Sequence, residues 1–117
     1  MSTNKSFSTE TSERYSRALF EVSKEANELD KVEGDIKNFQ LLVNSSSEIN
    51  SFIKNPSQNI TQQNQVINVL SDKLEFSKNL KNFFLLLIEK RRIFFVKKIA
   101  DTFLRLCSKK RGEMKAS

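Results

Sequence analysis

The sequence contains no histidine, one cysteine, one proline and two glycines among its 117 residues. Without histidine, the usual zinc sites and the Ser/His and Cys/His nucleophile pairs are excluded. Cys107 has no second cysteine with which to form an internal disulfide, which fits a reducing compartment. Because the chain has so little glycine and proline, it offers few of the turns that a β-protein needs, and we expect an all-α protein.

Long apolar runs and phosphate-binding loops are also missing. No stretch approaches the roughly 18 apolar residues of a membrane span, and residues 1–11 have no apolar segment of the kind found in a secretory signal. There is no Gly-rich phosphate loop, and the carboxylates are scattered over predicted helix surfaces. Cys107 falls at a core position and is expected to be a buried structural thiol. We therefore expect a protein that is not an enzyme and that binds no cofactor or metal.

The net charge of +6 is unevenly distributed along the chain. Residues 89–115 hold ten Lys and Arg against three acids, whereas residues 10–35 hold eight acids against four bases. The basic end could meet phosphates through Lys97, Lys98 and Lys109, which would make the protein a basic helical RNA-binding bundle. These cations are not joined by exposed aromatics suited to base stacking, and charge runs are usually solvated helix faces. RNA binding is therefore the alternative rather than the main hypothesis.

Apolar residues recur at intervals of three and four along nearly the whole chain, which predicts six helices joined by short loops. Asp30 and Glu33 are typical of a capping box, Thr61 and Ser77 are expected to cap later helices, and Gly112 is expected to stop the last one. The predicted helices are Thr11–Glu28, Asp30–Asn44, Glu48–Lys54, Thr61–Leu74, Ser77–Lys90 and Ile93–Lys110. We expect residues 1–10 to be a flexible arm, 11–110 a single compact six-helix bundle, and 111–117 the start of a missing C-terminal segment.

Two of these helices carry more apolar surface than one packed face needs. In the fifth helix, one face comprises Leu80, Phe84, Leu87 and Ile88. A second stripe beside it comprises Asn79, Asn82, Phe83, Leu86 and Lys90. The first helix has an apolar stripe of Tyr15, Ala18, Leu19, Val22, Ala26 and Leu29, with Phe20 about 140° from Tyr15. A helix that is apolar on two sides is central in a bundle or carries a partner, so we expect one stripe to pack inward and the other to receive another chain.

Two segments together resemble the δ subunit of bacterial F-type ATP synthases, the counterpart of the mitochondrial oligomycin-sensitivity-conferring protein. Arg14-Tyr15-Ser16-Arg17-Ala18-Leu19-Phe20-Glu21 resembles that family's opening R-P-Y-A-x-A-L-F-E, and Asn82 to Leu87 followed by Glu89 to Ile93 resembles its N-F-L-x-L-L-x-E-N-x-R-L. Asn55-Pro56 and Arg111-Gly112 match its N-P and R-G in the same order. The chain departs from the pattern in having no proline before Tyr15 and in placing Arg91-Arg92 where the family often has a small residue before the Arg.

This resemblance implies a six-helix N-terminal domain whose first and fifth helices form a hydrophobic groove for the amphipathic N-terminal helix of an α subunit. The groove residues carried over by motif position are Tyr15, Ala18, Val22, Asn82, Phe83 and Leu86, with Lys90 or Arg92 at the rim. Ala18 matters by being small, because a larger side chain would fill the groove. Leu19 and Leu87 are assigned to ordinary contacts between helices.

The function that the resemblance implies is static. The domain would link the catalytic head to the peripheral stalk during proton-driven ATP synthesis, with no catalytic residue of its own. Its implied partners are the α-subunit helix and, through the missing C-terminal part, the b subunits of the stalk, but no nucleic acid. It would be a peripheral component on the cytoplasmic face of the cell inner membrane, held there only indirectly. Besides RNA binding, an unrelated helix-in-groove adaptor remains an alternative.

Overall fold

Six α-helices form, and no strand accompanies them in the described residues, 7–55 and 59–115. The computed structural model gives their bounds as α1 (Phe7–Glu25), α2 (Leu29–Ser45), α3 (Ser47–Lys54), α4 (Ile60–Leu74), α5 (Lys78–Glu89) and α6 (Val96–Lys115), with a short 3-10 helix at Ile93–Phe95. The expected all-α, six-helix fold class is confirmed. Pro56, part of the Asn55-Pro56 match, lies outside the described residues.

The bounds of the first and last helices differ from the predicted ones. α1 begins at Phe7 and ends at Glu25, because Asn27 adopts a left-handed φ of 58° and the Glu28 N–H returns to Ser23 O at 2.8 Å. α6 continues past Gly112 to Lys115, so the predicted stop is wrong. Added side-chain atoms at Gly112 would meet nothing within 4 Å, and nothing forces the chain to turn there. The division into a flexible arm, a bundle and a further segment stays a prediction.

The helix caps correct two predictions and confirm one. α2 has Glu28 at its N-cap without a side-chain bond, so Asp30 already lies inside the helix and the capping-box interpretation is wrong. α4 is capped by Asn59, whose Oδ1 accepts from the Thr61 N–H at 2.7 Å, because the helix begins one residue before Thr61. Ser77 caps α5 as predicted, since its Oγ accepts from the Asn79 N–H at 3.1 Å.

α5 supplies the centre of the core. Its predicted inner face, Leu80, Phe84, Leu87 and Ile88, is completely buried. The Phe84 ring packs against Phe39 of α2 at 4.9 Å and against Phe76 at 5.7 Å between ring centroids. Aromatic pairs at such separations contribute about 0.5–1.5 kcal/mol each beyond the area that they bury. The inner face therefore fixes the position of α5, and its second stripe is left at the surface of the core.

The buried side of α1 consists mostly of small hydroxyl residues. Thr11, Ser12, Ser16 and Ser23 are buried together with Leu19. The Ser16 Oγ lies 2.6 Å from Ser12 O in its own helix and 2.9 Å from Ile99 O in α6, the helix with which α1 makes its most extensive contact. Such short side chains allow two helix backbones to approach closely. The inward-facing side of α1 therefore consists of this hydroxyl stripe together with Leu19, whereas Ala18 and Val22 of the apolar stripe stay exposed.

In the part of the chain that the structure describes, three helix-terminating turns use left-handed residues that carry side chains. Asn27, Glu75 and Arg91 have φ values of 58°, 54° and 57°. The two glycines, Gly34 and Gly112, lie instead inside helices, where an added Cβ would meet nothing within 4 Å. Gly34 therefore does not serve a close helix crossing.

Replacing Ser23 by alanine should stabilise the domain. The Ser23 hydroxyl is buried without a hydrogen-bond partner, so Ser23→Ala removes a desolvated polar group and should raise the free energy of unfolding by about 1 kcal/mol. Ser16→Ala is the matched control, because it removes a hydroxyl that is bonded and should lower the free energy of unfolding by about 1 kcal/mol. Urea unfolding followed by circular dichroism measures both. Equal destabilisation by the two substitutions would contradict this account of the α1–α6 contact.

Candidate functional site

A groove of about 420 Å³ runs between α1 and α5 on the surface of the bundle. The Tyr15 ring meets the Phe83 ring edge-on, with 6.3 Å between their centroids, and so joins the two helices. The residues that line the groove are Arg14, Tyr15, Ala18, Leu19, Val22, Asn79, Asn82, Phe83 and Leu86. The groove is thus formed by the second stripe of α5 and by the apolar stripe of α1 that the hydroxyl stripe leaves unburied.

The groove exposes one large aliphatic side chain on each of its walls. Val22 on α1 is 46% exposed and Leu86 on α5 is 40% exposed. Phe83 and Leu19 are almost fully buried beneath them. Ala18 is exposed and ends at its Cβ, so nothing on α1 fills the space in front of Phe83. An open apolar groove with this shape can accept the apolar face of another helix.

The structure brings together six of the eight residues predicted for the site: Tyr15, Ala18, Val22, Asn82, Phe83 and Leu86. Lys90 and Arg92 do not line the groove. Lys90 is the exposed C-cap of α5, and Arg92 is half-buried beyond the left-handed turn at Arg91, which carries the chain out of the helix direction. A role for these two cations at the rim stays a prediction.

Three lining residues were not among the predicted site residues. Asn79 belongs to the same helical stripe as Phe83 and Leu86, so the periodicity of α5 already pointed to it. Arg14 lies one helical turn before Ala18, but no sequence signal separates it from any other surface arginine. Leu19 is nearly fully buried and contributes only to the base of the groove, in agreement with its assignment as a contact between helices.

A network of polar side chains fixes the end of the groove at which α5 begins. The Glu28 Oε1 accepts from the Ser77 Oγ at 2.7 Å and from the Asn79 Nδ2 at 2.9 Å. The buried Asp35 accepts from the Ser77 N–H at 2.7 Å and from the Lys31 Nζ at 3.0 Å. Carboxylates at a helix N-terminus stabilise its free N–H groups and its positive dipole end. This network holds the start of α5 against α2 and against the turn after α1.

The described residues contain neither a candidate metal site nor a reactive thiol. No group of three His, Cys, Asp or Glu side chains in residues 9–55 and 59–112 is placed to hold a metal ion. Burial, together with the nearby Glu33 carboxylate, raises the pKa of the Cys107 thiol to about 12, so this thiol is a poor nucleophile. Glu33 itself is bound by Arg111, which joins α2 to α6. None of the described helices is both long and apolar enough to cross a membrane.

The chain is similar to proteins whose names agree with one another. The profile of the family described as ATP synthase delta (OSCP) subunit matches residues 11–117. The ATP synthase subunit delta of Pelagibacter ubique is 40% identical over 99% of this chain, and that of Allorhizobium ampelinum is 34% identical over 89% of it. A chain in the cryo-EM structure of the Toxoplasma gondii mitochondrial ATP synthase hexamer superposes with a TM-score of 0.74 at 29% identity, covering 85% of this chain and 53% of that one.

These relatives are longer than the chain. It spans 63% of the Pelagibacter ubique protein and 54% of the Allorhizobium ampelinum protein.

Loss of the Glu28 carboxylate should weaken the polar end of the groove. Glu28→Ala removes the acceptor of two hydrogen bonds and should lower the free energy of unfolding by about 1–2 kcal/mol. Glu25→Ala is the matched control, because that exposed glutamate at the end of α1 should change stability by less than about 0.5 kcal/mol. Thermal unfolding followed by circular dichroism compares the two. If the two variants lose equal stability, Glu28 does not hold α5.

Cys107 should resist modification while the domain is folded. A pKa of about 12 leaves very little thiolate at pH 8, and the side chain is buried, so reaction with an aromatic disulfide reagent should be at least about a hundredfold slower than for the chain unfolded in urea. The rate should rise with pH through the whole alkaline range in which the fold persists. Rapid modification of the folded chain at pH 8 would show that Cys107 is accessible.

Proposed function

Since this chain belongs to the ATP synthase delta (OSCP) subunit family, we propose that it is a non-catalytic part of the stator of an F-type ATP synthase. In this proposal, its α1–α5 groove binds the amphipathic N-terminal helix of an α subunit and so ties the catalytic head to the peripheral stalk. The observation that carries the proposal is the open apolar groove, with Val22 and Leu86 exposed on opposite walls. Those two walls are the segments on which the family resemblance also depends.

The groove favours a guest helix that is apolar on one face. Such a helix presents residues at i, i+3, i+4 and i+7, which can follow the row from Asn79 through Asn82 and Phe83 to Leu86. Covering the exposed parts of Val22 and Leu86 contributes roughly 1 kcal/mol each. Asn79 and Asn82 are the polar side chains among the lining residues of α5, and they can bond polar groups of the guest.

Apolar contacts suit a link that must persist under load. A stator has to stay attached while the rotor applies torque, which requires slow dissociation. Contacts between apolar side chains are little screened by salt, in contrast to exposed charge pairs. The charged side chain among the lining residues is Arg14, so the groove itself contributes little electrostatic attraction.

The proposal assigns only the contact with the head to this chain. Contact with the b subunits is assigned to the part of the relatives' length that this chain does not cover. The protein would lie on the cytoplasmic face of the inner membrane, held there by its partners.

Isothermal titration calorimetry against a synthetic peptide tests the proposal. The peptide comprises about 20 residues from the N-terminus of the α subunit of the same organism, enough for a helix about 30 Å long. We expect one-to-one binding that changes little between low and high salt. Leu86→Asp places a carboxylate in the apolar wall and Ala18→Arg fills the groove, and each should weaken binding at least about thirtyfold.

Leu41→Asp is the matched control for Leu86→Asp. Leu41 is 67% exposed on α2 and does not line the groove, so the same substitution there should leave peptide binding unchanged. Helical circular dichroism must persist in all three variants. Absence of peptide binding by the folded chain would refute the proposed contact with the α subunit. Binding of unrelated amphipathic peptides with the same affinity would instead indicate a general helix-in-groove adaptor.

A further inference from the structure

α1 carries a second functional candidate on the side away from the groove. At 100° per residue, Arg17, Phe20 and Lys24 lie roughly 140° to 200° around the helix from Tyr15. With α6 they border two adjoining cavities of about 230 Å³ each. One is lined by Glu13, Arg17, Thr102, Arg105, Leu106 and Lys109, and the other by Phe20, Lys24, Leu106, Lys109 and Lys110. Because Leu106 and Lys109 line both, the cavities form one surface, which we call the basic face.

The positive charge of the basic face is largely unneutralised. Five of its lining side chains are cations, whereas Glu13 is the single acid among them. Lys24 pairs with Glu21 at 3.6 Å. Arg17, Lys109 and Lys110 make no hydrogen bond or ion pair with any side chain in the described ranges 9–55 and 59–112. Like charges gathered on a concave surface raise its potential and attract an anionic group.

Apolar side chains lie between the cations. Phe20 and Leu106 are both half-buried, and the Phe20 ring packs edge-on against the buried Phe103 with 6.4 Å between centroids. The Phe103 contact packs one edge of the ring against the core. The basic face thus offers an apolar floor surrounded by ammonium and guanidinium groups. A ligand that matches it needs carboxylates around an apolar side chain.

We propose that the basic face is a docking site for an acidic amphipathic segment of a partner protein. Carboxylates of the segment pair with Arg17, Arg105 and Lys109, and an apolar side chain enters between Phe20 and Leu106. Since the basic face and the groove lie on opposite sides of α1, the two sites are separate, and this inference goes beyond the function proposed above. α1 would then be enclosed by a partner on each side.

Nucleic acid fits the basic face less well than an acidic peptide does. Single-stranded RNA binds through aromatic rings on which bases stack. The one aromatic ring on this face, Phe20, is covered in part by the Lys24 Nζ, which lies 5.6 Å from its centroid.

A fluorescent peptide tests this proposal directly. The chain contains no tryptophan, so a peptide with a single Trp reports binding by its own emission. The probe is a helical peptide of about 16 residues built from Glu and Ala with one Trp, titrated at about 0.15 M salt. We expect saturable binding with a blue shift of the Trp emission. The same peptide with Gln in place of Glu should bind at least about tenfold more weakly.

Two charge-reversal variants separate the basic face from the net charge. The double variant Arg105→Glu/Lys109→Glu should weaken binding at least about tenfold, corresponding to about 1.4 kcal/mol. Lys54→Glu/Lys73→Glu is the matched control, because it changes the net charge equally at exposed positions on α3 and α4. Its effect should be less than about threefold at this ionic strength. Leu106→Gln should abolish the blue shift while helical circular dichroism is kept.

Leu86→Asp distinguishes this site from the groove, because it should leave binding of the acidic peptide intact while it removes binding of the α-subunit peptide. Four outcomes would overturn the proposal: no binding of the acidic peptide, equal loss in the two double variants, loss in Leu86→Asp, or tighter binding of a uridine 16-mer than of the peptide. The first three leave the test of the α-subunit peptide unaffected. The last would identify the basic face as a site for RNA.

Discussion

The close contact between α1 and α6 through hydroxyl side chains determines what the rest of α1 can do. A helix buried by leucine and valine uses its apolar residues for its own docking. The buried side of α1 consists of Thr11, Ser12, Ser16 and Ser23 with a single leucine, Leu19, and the Ser16 hydroxyl lies 2.9 Å from Ile99 O. Its larger apolar side chains therefore flank the contact on both sides. Tyr15, Ala18 and Val22 face the groove on one flank, and Phe20 lies on the other.

α5 packs against the core in the opposite way, through large apolar side chains. Its inner face is wholly apolar and buried, and the packing of Phe84 against Phe39 and Phe76 fixes the helix firmly in the core. The second stripe of α5 lies at the surface, with Leu86 40% exposed. The polar network around Ser77 holds the start of this helix, so the groove is built between two elements that are each fixed from behind. Fixing both walls in this way makes the groove preformed, which lowers the ordering cost of any binding there.

Periodicity predicted that α1 and α5 carry more apolar surface than one packed face needs, and the family resemblance implied that the two helices form a groove, which the structure contains. Periodicity gave no sign of the buried hydroxyl residues of α1, because a stripe of Ser and Thr carries no hydrophobic signal even when it is completely buried. The Glu33–Arg111 pair could not be predicted, since it joins residues 78 positions apart and Glu33 instead fitted a local capping pattern. The placement of Lys90 and Arg92 relative to the groove follows from the left-handed turn at Arg91. The sequence gives no sign of this turn, because the left-handed residue is not a glycine.

The placement of the glycines has a consequence for how this domain could change over time. Three turns hold side-chain-bearing residues in the left-handed region, at a cost of roughly 1 kcal/mol each for Glu75 and Arg91 and less for Asn27. Two helices hold a glycine in open space, each about 1 kcal/mol less favourable than alanine. The domain therefore lies several kcal/mol below the stability that its own backbone allows. Single substitutions at these five positions can raise the free energy of unfolding without touching the groove or the basic face. Substitutions that change either surface and cost stability can therefore be compensated at these positions.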